Sequence, residues 1–252
     1  MVAPSRTLDY EVVVLGGGGS GLAAAIEAAV AGARVVVIEK AEFLRGSTGR
    51  SVGAIAASRT PDQKRLGISD CPELHFEDYR TLSGELAACE SEELARLLVE
   101  NVTESLAWLR GLGVEFFGPV EGPGHSVPRL HNALPGSRSY VHHLHKRARQ
   151  LGVTILLSTT AETLEQVGEV VNQVRARSRD GSQVLVSSRE EIIDVLPGVS
   201  SASATVRVSR GVLAGWCSSS PGGSRACRWA GRRPVCWCSA GRWGIRRCPA
   251  RR

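Results

Sequence analysis

Between an apolar run, Tyr10–Leu15, and an alanine-rich run, Gly21–Ala31, the chain carries Gly16-Gly17-Gly18-Gly19-Ser20-Gly21. No other segment restricts the fold as strongly. Glycine loses more backbone freedom on ordering than any other residue, so such a run survives only where the chain turns sharply or lies close to other backbone. The flanks say which kind of turn it is. Y-E-V-V-V-L reads as a buried strand and the Ala-rich stretch as a helix. A second buried strand, Arg34–Glu39 (R-V-V-V-I-E), completes a unit of about thirty residues. Near-continuous Val and Ile runs fit a parallel sheet covered on both faces, which makes the expected fold class α/β.

Within the loop the spacing G-x-G-x-x-G falls on Gly16, Gly18 and Gly21. The first permits the tight turn, the second lets backbone approach a pyrophosphate, and the third lets helix pack on strand. The helix N-terminus offers free N–H groups and the positive end of its dipole to phosphates. Glu39 ends the second strand, 23 residues after Gly16, where a carboxylate accepts hydrogen bonds from ribose hydroxyls. The same carboxylate would repel a 2′-phosphate, so NADP is disfavoured. FAD and NAD share this fingerprint. The following segment, Arg45 to Ala54 (R-G-S-T-G-R-S-V-G-A), is rich in small residues and hydroxyls that allow backbone contact with a diphosphate and a ring system; as a polar linker it would carry neither.

Further along, Ser91 caps a helix with Leu94, Leu98, Val102, Leu106 and Leu109 on one stripe, ending at Gly111. Gly118 to Pro135 reads as a Gly- and Pro-rich loop, followed by a helix over Ser139 to Gln150 and a strand over Val153–Leu157. Segments near Val170–Ala176, Gln183–Ser187 and Thr205–Val208 read as a small β-meander.

Composition divides the chain at residue 215. The net charge of +6 comes from the end: Trp216 to Arg252 holds nine Arg and no acid, leaving 22 basic against 25 acidic residues before it. Five of the seven Cys and four of the five Trp lie in the same 37 residues. That stretch has neither helical nor alternating periodicity, and its residues are those that GC-rich codons give when read out of frame. It is expected to be an irregular, non-native end, so the domains are 1–215 and a tail over 216–252. Two functional readings compete. Zinc would require paired C-x2-C knuckles, which the spacing of Cys227, Cys236, Cys238 and Cys248 lacks. A nucleic-acid arm would use the Arg to neutralise phosphates and the Trp to stack bases; no nucleic-acid partner is expected. No run of 18 apolar residues occurs, so no membrane span is expected. Glu11, Glu27 and the glycine cluster argue against a signal peptide, and Cys71 and Cys89 alone in the body fit a reducing compartment, so the expected location is the cytoplasm.

The glycine loop with V-V-V-I-E-K and G-S-T-G-R-S-V-G resembles the flavoprotein family of fumarate reductase, succinate dehydrogenase and related FAD-dependent oxidoreductases. P-E-L-H-F-E-D (72–78), V-P-R-L-H-N-A-L-P (127–135) and L-G-V-T-I-L-L-S-T-T-A-E-T-L (151–164) are similar to its soluble single-chain bacterial branch. The resemblance covers roughly residues 8–214. It implies a Rossmann-like FAD-binding fold in which Gly16, Gly18, Ser20 and Gly21 hold the pyrophosphate. Glu39 would bind the adenosine ribose with Lys40 beside it, Ser47, Thr48, Ser51 and Gly53 would line the phosphate and flavin side, and the Ala161 backbone would meet the adenine. Relatives with covalent flavin carry His where this chain has Ser47, which implies non-covalent FAD. Arg45 and Val52 depart from the family, which usually has Gly at both. Gly211 to Gly215 begins a further family pattern that Trp216 breaks. The expectation is therefore a front portion without a capping domain, holding FAD weakly and inactive as it stands.

Histidines supply the remaining candidates. His142, His143 and His145 fall off the apolar stripe Val141, Leu144, Ala148 and Leu151, and read as a solvated basic face rather than metal ligands. His75 reads as structural. His131, with Arg129 and Arg138 nearby, is a candidate for holding a carboxylate or keto substrate. No metal site is expected. Two functions of different class remain at this point: an FAD-dependent oxidoreductase acting on a small-molecule substrate, and an NAD-binding module without catalysis.

Overall fold

The structure is a computed structural model that describes residues 6–167 and 170–194. The expected strand Thr205–Val208 and the Cys/Trp/Arg-rich end lie outside these residues. In chain order the elements are β1 (Arg6–Leu15), α1 (Gly19–Val30), β2 (Val35–Ile38), β3 (Ala54–Ala56), α2 (Pro61–Arg65), α3 (Pro72–Ser83), α4 (Glu92–Gly111), β4 (Glu115–Val120), β5 (Leu130–Leu134), α5 (Arg138–Gln150), β6 (Thr154–Leu156), β7 (Thr159–Val167), β8 (Val170–Ser178) and β9 (Gln183–Asp194). They fall into two compact units, whose described parts are 6–50 with 141–194 and 51–140.

The first unit is built on a six-stranded sheet of order β6-β2-β1-β9-β8-β7. β6, β2, β1 and β9 run parallel, and β8 and β7 follow antiparallel. Val12 to Leu15 and Val35 to Ile38 are buried throughout, as a strand covered on both faces requires. One face packs Val13, Leu15, Val36 and Ile38 with Val174, Val186 and Ile192. α1 packs on β1 and β2, burying Leu22, Ala25 and Ile26. The segments near Val170–Ala176 and Gln183–Ser187 fall in β8 and β9, which with β7 form an antiparallel meander. What the sequence does not show is its attachment: β9 also pairs in parallel with the whole of β1, from Arg6 against Val184 to Leu15 against Asp194. β9 therefore completes the main sheet, and β8 and β7 extend it.

The second unit holds a three-stranded antiparallel sheet, β3-β5-β4, with α2, α3 and α4. The stretch read as a loop contains β5 and the end of β4. Gly118 adopts φ +130°, and the register shifts between Phe117 and Val120, so the Gly-Pro pair sits inside β4 as an irregularity. A side chain at Gly118 would strike the Leu130 carbonyl of β5.

α4 starts where its cap placed it, with the Ser91 hydroxyl accepting the Leu94 N–H, and it ends at Gly111. Its buried face is Ala95, Val99, Val102 and Leu106, however, and Leu98 is 48% exposed. Two apolar registers share Val102 and Leu106. Phe76 of α3 packs on Ala95 and Val99 and so selects the second.

Candidate cofactor-binding site

β1 delivers the chain into the glycine loop at Gly16, whose φ of +103° favours glycine and whose N–H donates to the Ile38 carbonyl at 2.8 Å. The turn thus closes against the end of β2. α1 follows at Gly19, with Gly18, which has no side chain to cap it, as its N-cap. A Cβ at Gly21 would lie 1.9 Å from the Gly16 carbonyl oxygen, so glycine there is what lets the helix sit on the turn. At Gly18 an added Cβ would meet nothing within 4 Å. The loop therefore presents bare backbone to open space at the positive end of a helix, the arrangement that receives a phosphate. Ser20 is exposed in the first turn.

Two side chains brace this loop. The Glu39 carboxylate accepts the Gly17 N–H at 2.7 Å and the Ala41 N–H at 2.8 Å, one on each oxygen. Each oxygen keeps a further lone pair, so the group can still accept ribose hydroxyls. The Thr48 hydroxyl accepts the Gly19 N–H at 3.1 Å. The sequence assigns both residues to the cofactor and does not show their work on the loop, for which a spacing of 22 or 29 residues gives no local signal. Lys40 is exposed and, with Ser158, Thr160 and Arg177, borders an open depression of about 560 Å³. Ser47 is exposed, and Ala161 is an exposed residue of β7 paired with Ala176 of β8.

In the second unit Ser51 accepts the Gly53 N–H at 3.3 Å, and Gly53 has φ +85°. The Gly53 carbonyl accepts two hydrogen bonds, from Tyr140 Oη at 2.7 Å and from the Ala133 N–H at 2.8 Å. Burial pushes the Tyr140 phenol up to about 12, which keeps it a donor.

The remaining candidates are placed differently from one another. Arg129 is wholly buried: its guanidinium pairs with Asp70 at 2.7 Å and with Asp78 at 2.5 Å. Asp70 also accepts Gln63 Nε2 at 2.7 Å. His131 is equally buried. Its Nδ1 lies 2.9 Å from the Arg129 carbonyl and its Nε2 lies 3.2 Å from the Thr60 hydroxyl. The carbonyl can only accept, so the proton is on Nδ1, and Nε2 accepts from Thr60. Burial first, and then the Arg110 charge, hold His131 below the usual histidine range. Thr60 and Gln63 form a capping box for α2, so the whole cluster ties β5 to the entry of that helix. Arg138 is exposed at the start of α5. His142 is exposed and His143 and His145 are half-buried beside the buried Val141, Leu144 and Ala148, and no group of three or more potential metal ligands occurs among the described residues.

A family model described as FAD binding domain matches residues 11–223. The chain belongs to this family. An NADH:fumarate oxidoreductase from Klebsiella pneumoniae (strain 342) is 31% identical over 219 residues, covering 86% of this chain and 23% of that protein. A fumarate reductase (cytochrome) from Shewanella frigidimarina is 36% identical over 135 residues, 54% of this chain and 23% of that protein. This chain thus spans about a quarter of the length of these relatives. Among solved structures, the open conformation of a flavocytochrome c3 fumarate reductase superposes with a TM-score of 0.69 over 75% of this chain and 33% of that one; at 23% identity the likeness is one of fold. No helix among the described residues is long and apolar enough to cross a membrane.

FAD is the cofactor of this family, and the residues present fit it. Gly18 opens onto free space, the N-cap residue of α1 has no side chain of its own, and a carboxylate stands at the end of β2.

Proposed function

We propose that this chain is the FAD-binding portion of an oxidoreductase of the fumarate reductase and succinate dehydrogenase type. Bound FAD supplies hydride exchange through flavin N5 with the carbon–carbon bond of a carboxylate or keto substrate. The chain's own residues bind and orient. Backbone at Gly16, Gly18, Ser20 and Gly21 holds the diphosphate, Glu39 accepts from the ribose with Lys40 beside it, and the Ala161 backbone meets the adenine. Ser47, Thr48, Ser51 and Gly53 serve the phosphate and flavin side. Ser47 stands where covalently linked relatives carry His, so the flavin is held without a covalent bond.

The observation that carries this reading is the open backbone at Gly18, at the N-terminal end of α1 and braced by Glu39 and Thr48. The substrate class follows from the relatives, two of which are named for fumarate. Parallel titrations with FAD and NAD test the reading. Quenching of flavin fluorescence with a shifted flavin absorbance band is the expected result. Binding of NAD without any flavin band would instead favour a nucleotide-binding module without redox chemistry.

A further inference from the structure

The stem of Arg45 packs against Gly49, where an added Cβ would lie 3.0 Å from Arg45 Cγ, but the fold gives its guanidinium no polar partner. The residue is half-buried, yet its Nε is shut off from water and has no hydrogen-bond partner. Its guanidinium takes part in no hydrogen bond or ion pair among the described residues. Buried donors in folded proteins are almost always satisfied, so an orphan on a cation calls for an acceptor the protein itself does not supply.

The surroundings identify that acceptor. Arg45 opens a turn closed by the Gly49 N–H on its own carbonyl at 2.8 Å. This turn is docked on the glycine loop. A Cβ at Gly46 would lie 3.0 Å from Gly18 Cα, and Thr48, three residues beyond Arg45, accepts the Gly19 N–H. The arginine therefore belongs to the segment that packs against the bare backbone at the N-terminus of α1. A diphosphate brings negative charge to that place, where the carboxylate of Glu39 already hydrogen-bonds the loop. The helix dipole supplies only about half a unit of positive charge against it. A guanidinium offers a planar fork of donors that matches phosphate oxygens.

We propose that Arg45 is a further diphosphate-binding residue of this chain, its guanidinium donating charge-assisted hydrogen bonds to the phosphate oxygens of FAD beside the backbone N–H groups of the glycine loop. The proposal rests on the reading of that loop as an FAD site. It makes the phosphate grip of this chain partly electrostatic, and so sensitive to salt.

Calorimetric titration of the unaltered chain, Arg45→Met and Arg45→Lys with FAD, ADP and adenosine tests it, with thermal unfolding in the absence of ligand alongside. Arg45→Met is expected to weaken FAD and ADP by about tenfold or more. Adenosine, which has no phosphate, binds all three proteins alike. Arg45→Lys falls between, because it keeps the charge and loses the fork. The ligand-free midpoint of Arg45→Met is not lowered, since the guanidinium has no polar partner to lose. Equal FAD and ADP affinity in Arg45→Met overturns the proposal and leaves the FAD reading standing. Equal losses for adenosine and ADP, or a lowered ligand-free midpoint, also overturn it by assigning Arg45 to the fold. If the unaltered chain binds neither FAD nor ADP, the FAD reading falls and the proposal with it.

Discussion

Two glycines of one motif do different work, and a methyl group at each separates the two. At Gly21 the added carbon would be driven into the Gly16 carbonyl oxygen, a backbone atom that cannot swing aside. Gly21→Ala is expected to lose roughly 2 kcal/mol or more of stability, because α1 must move off the turn. At Gly18 the same carbon meets nothing. Gly18→Ala should melt at nearly the parent temperature without FAD while its FAD affinity falls about tenfold or more, as the methyl occupies the space a diphosphate needs. Melting curves with and without FAD read both effects. Loss of ligand-free stability in Gly18→Ala would show that the position is packed, contrary to this account. At this scale the sequence was informative wherever the chemistry is contiguous. Gly16, Gly18, Gly21 and Glu39 follow from spacing alone. Arg129 and His131 did not reveal their surroundings, because the groups that bury them, Asp70, Asp78 and Thr60, lie 51 to 71 residues away.

At the scale of elements, caps were read from sequence more reliably than faces. Ser91 opens α4 as its position before Glu92 and Glu93 implies, since the hydroxyl answers an orphan N–H one turn in. Which apolar register faces inward is a different question, settled by the ring of Phe76 against Ala95 and Val99. The two registers make a direct prediction. Leu106 is 1% exposed and Leu98 is 48% exposed. Leu106→Ala should cost roughly 2–5 kcal/mol, and Leu98→Ala less than about 1 kcal/mol. Urea unfolding of the two variants measures the difference, and equal losses would mean that the stripe through Leu98 is the packed one.

For the molecule as a whole, the second unit should weaken in acid. Burial first, and then the neighbouring Arg129 charge, push His75 down from 6.5 to about 4. The unfolded chain thus binds a proton at His75 below pH 6.5 that the folded chain refuses until about pH 4. Stability from this group is complete above that window and is lost as the pH falls through it, to a limit of roughly 3 kcal/mol. Asp62 and Asp78 act in the same direction at lower pH. Burial raises each carboxyl, but Arg110 at Asp62, and Ser126 with Arg129 at Asp78, outweigh it and bring both below the usual range. Denaturant titrations between pH 7 and pH 4 should therefore show stability declining with acid. His75→Gln, which cannot titrate, should flatten that decline in its upper part; an unchanged slope would assign the effect to the carboxylates.

By itself the sequence determined the α/β unit, the position of the glycine loop, the carboxylate at the end of β2 and the likeness to FAD-dependent flavoproteins. Each depends on residues that are neighbours along the chain, where turn chemistry, capping and apolar runs act directly. Tertiary structure alone decided the rest. It placed β9 beside β1, made strands of a Gly- and Pro-rich stretch, and turned α4 onto Val99. It also enclosed Arg129 between two carboxylates and left Arg45 without a partner. These are contacts between distant segments, and hydrophobic pattern and charge admit several partners for each of them. Only packing, which must fill space and satisfy every buried donor at once, selects one.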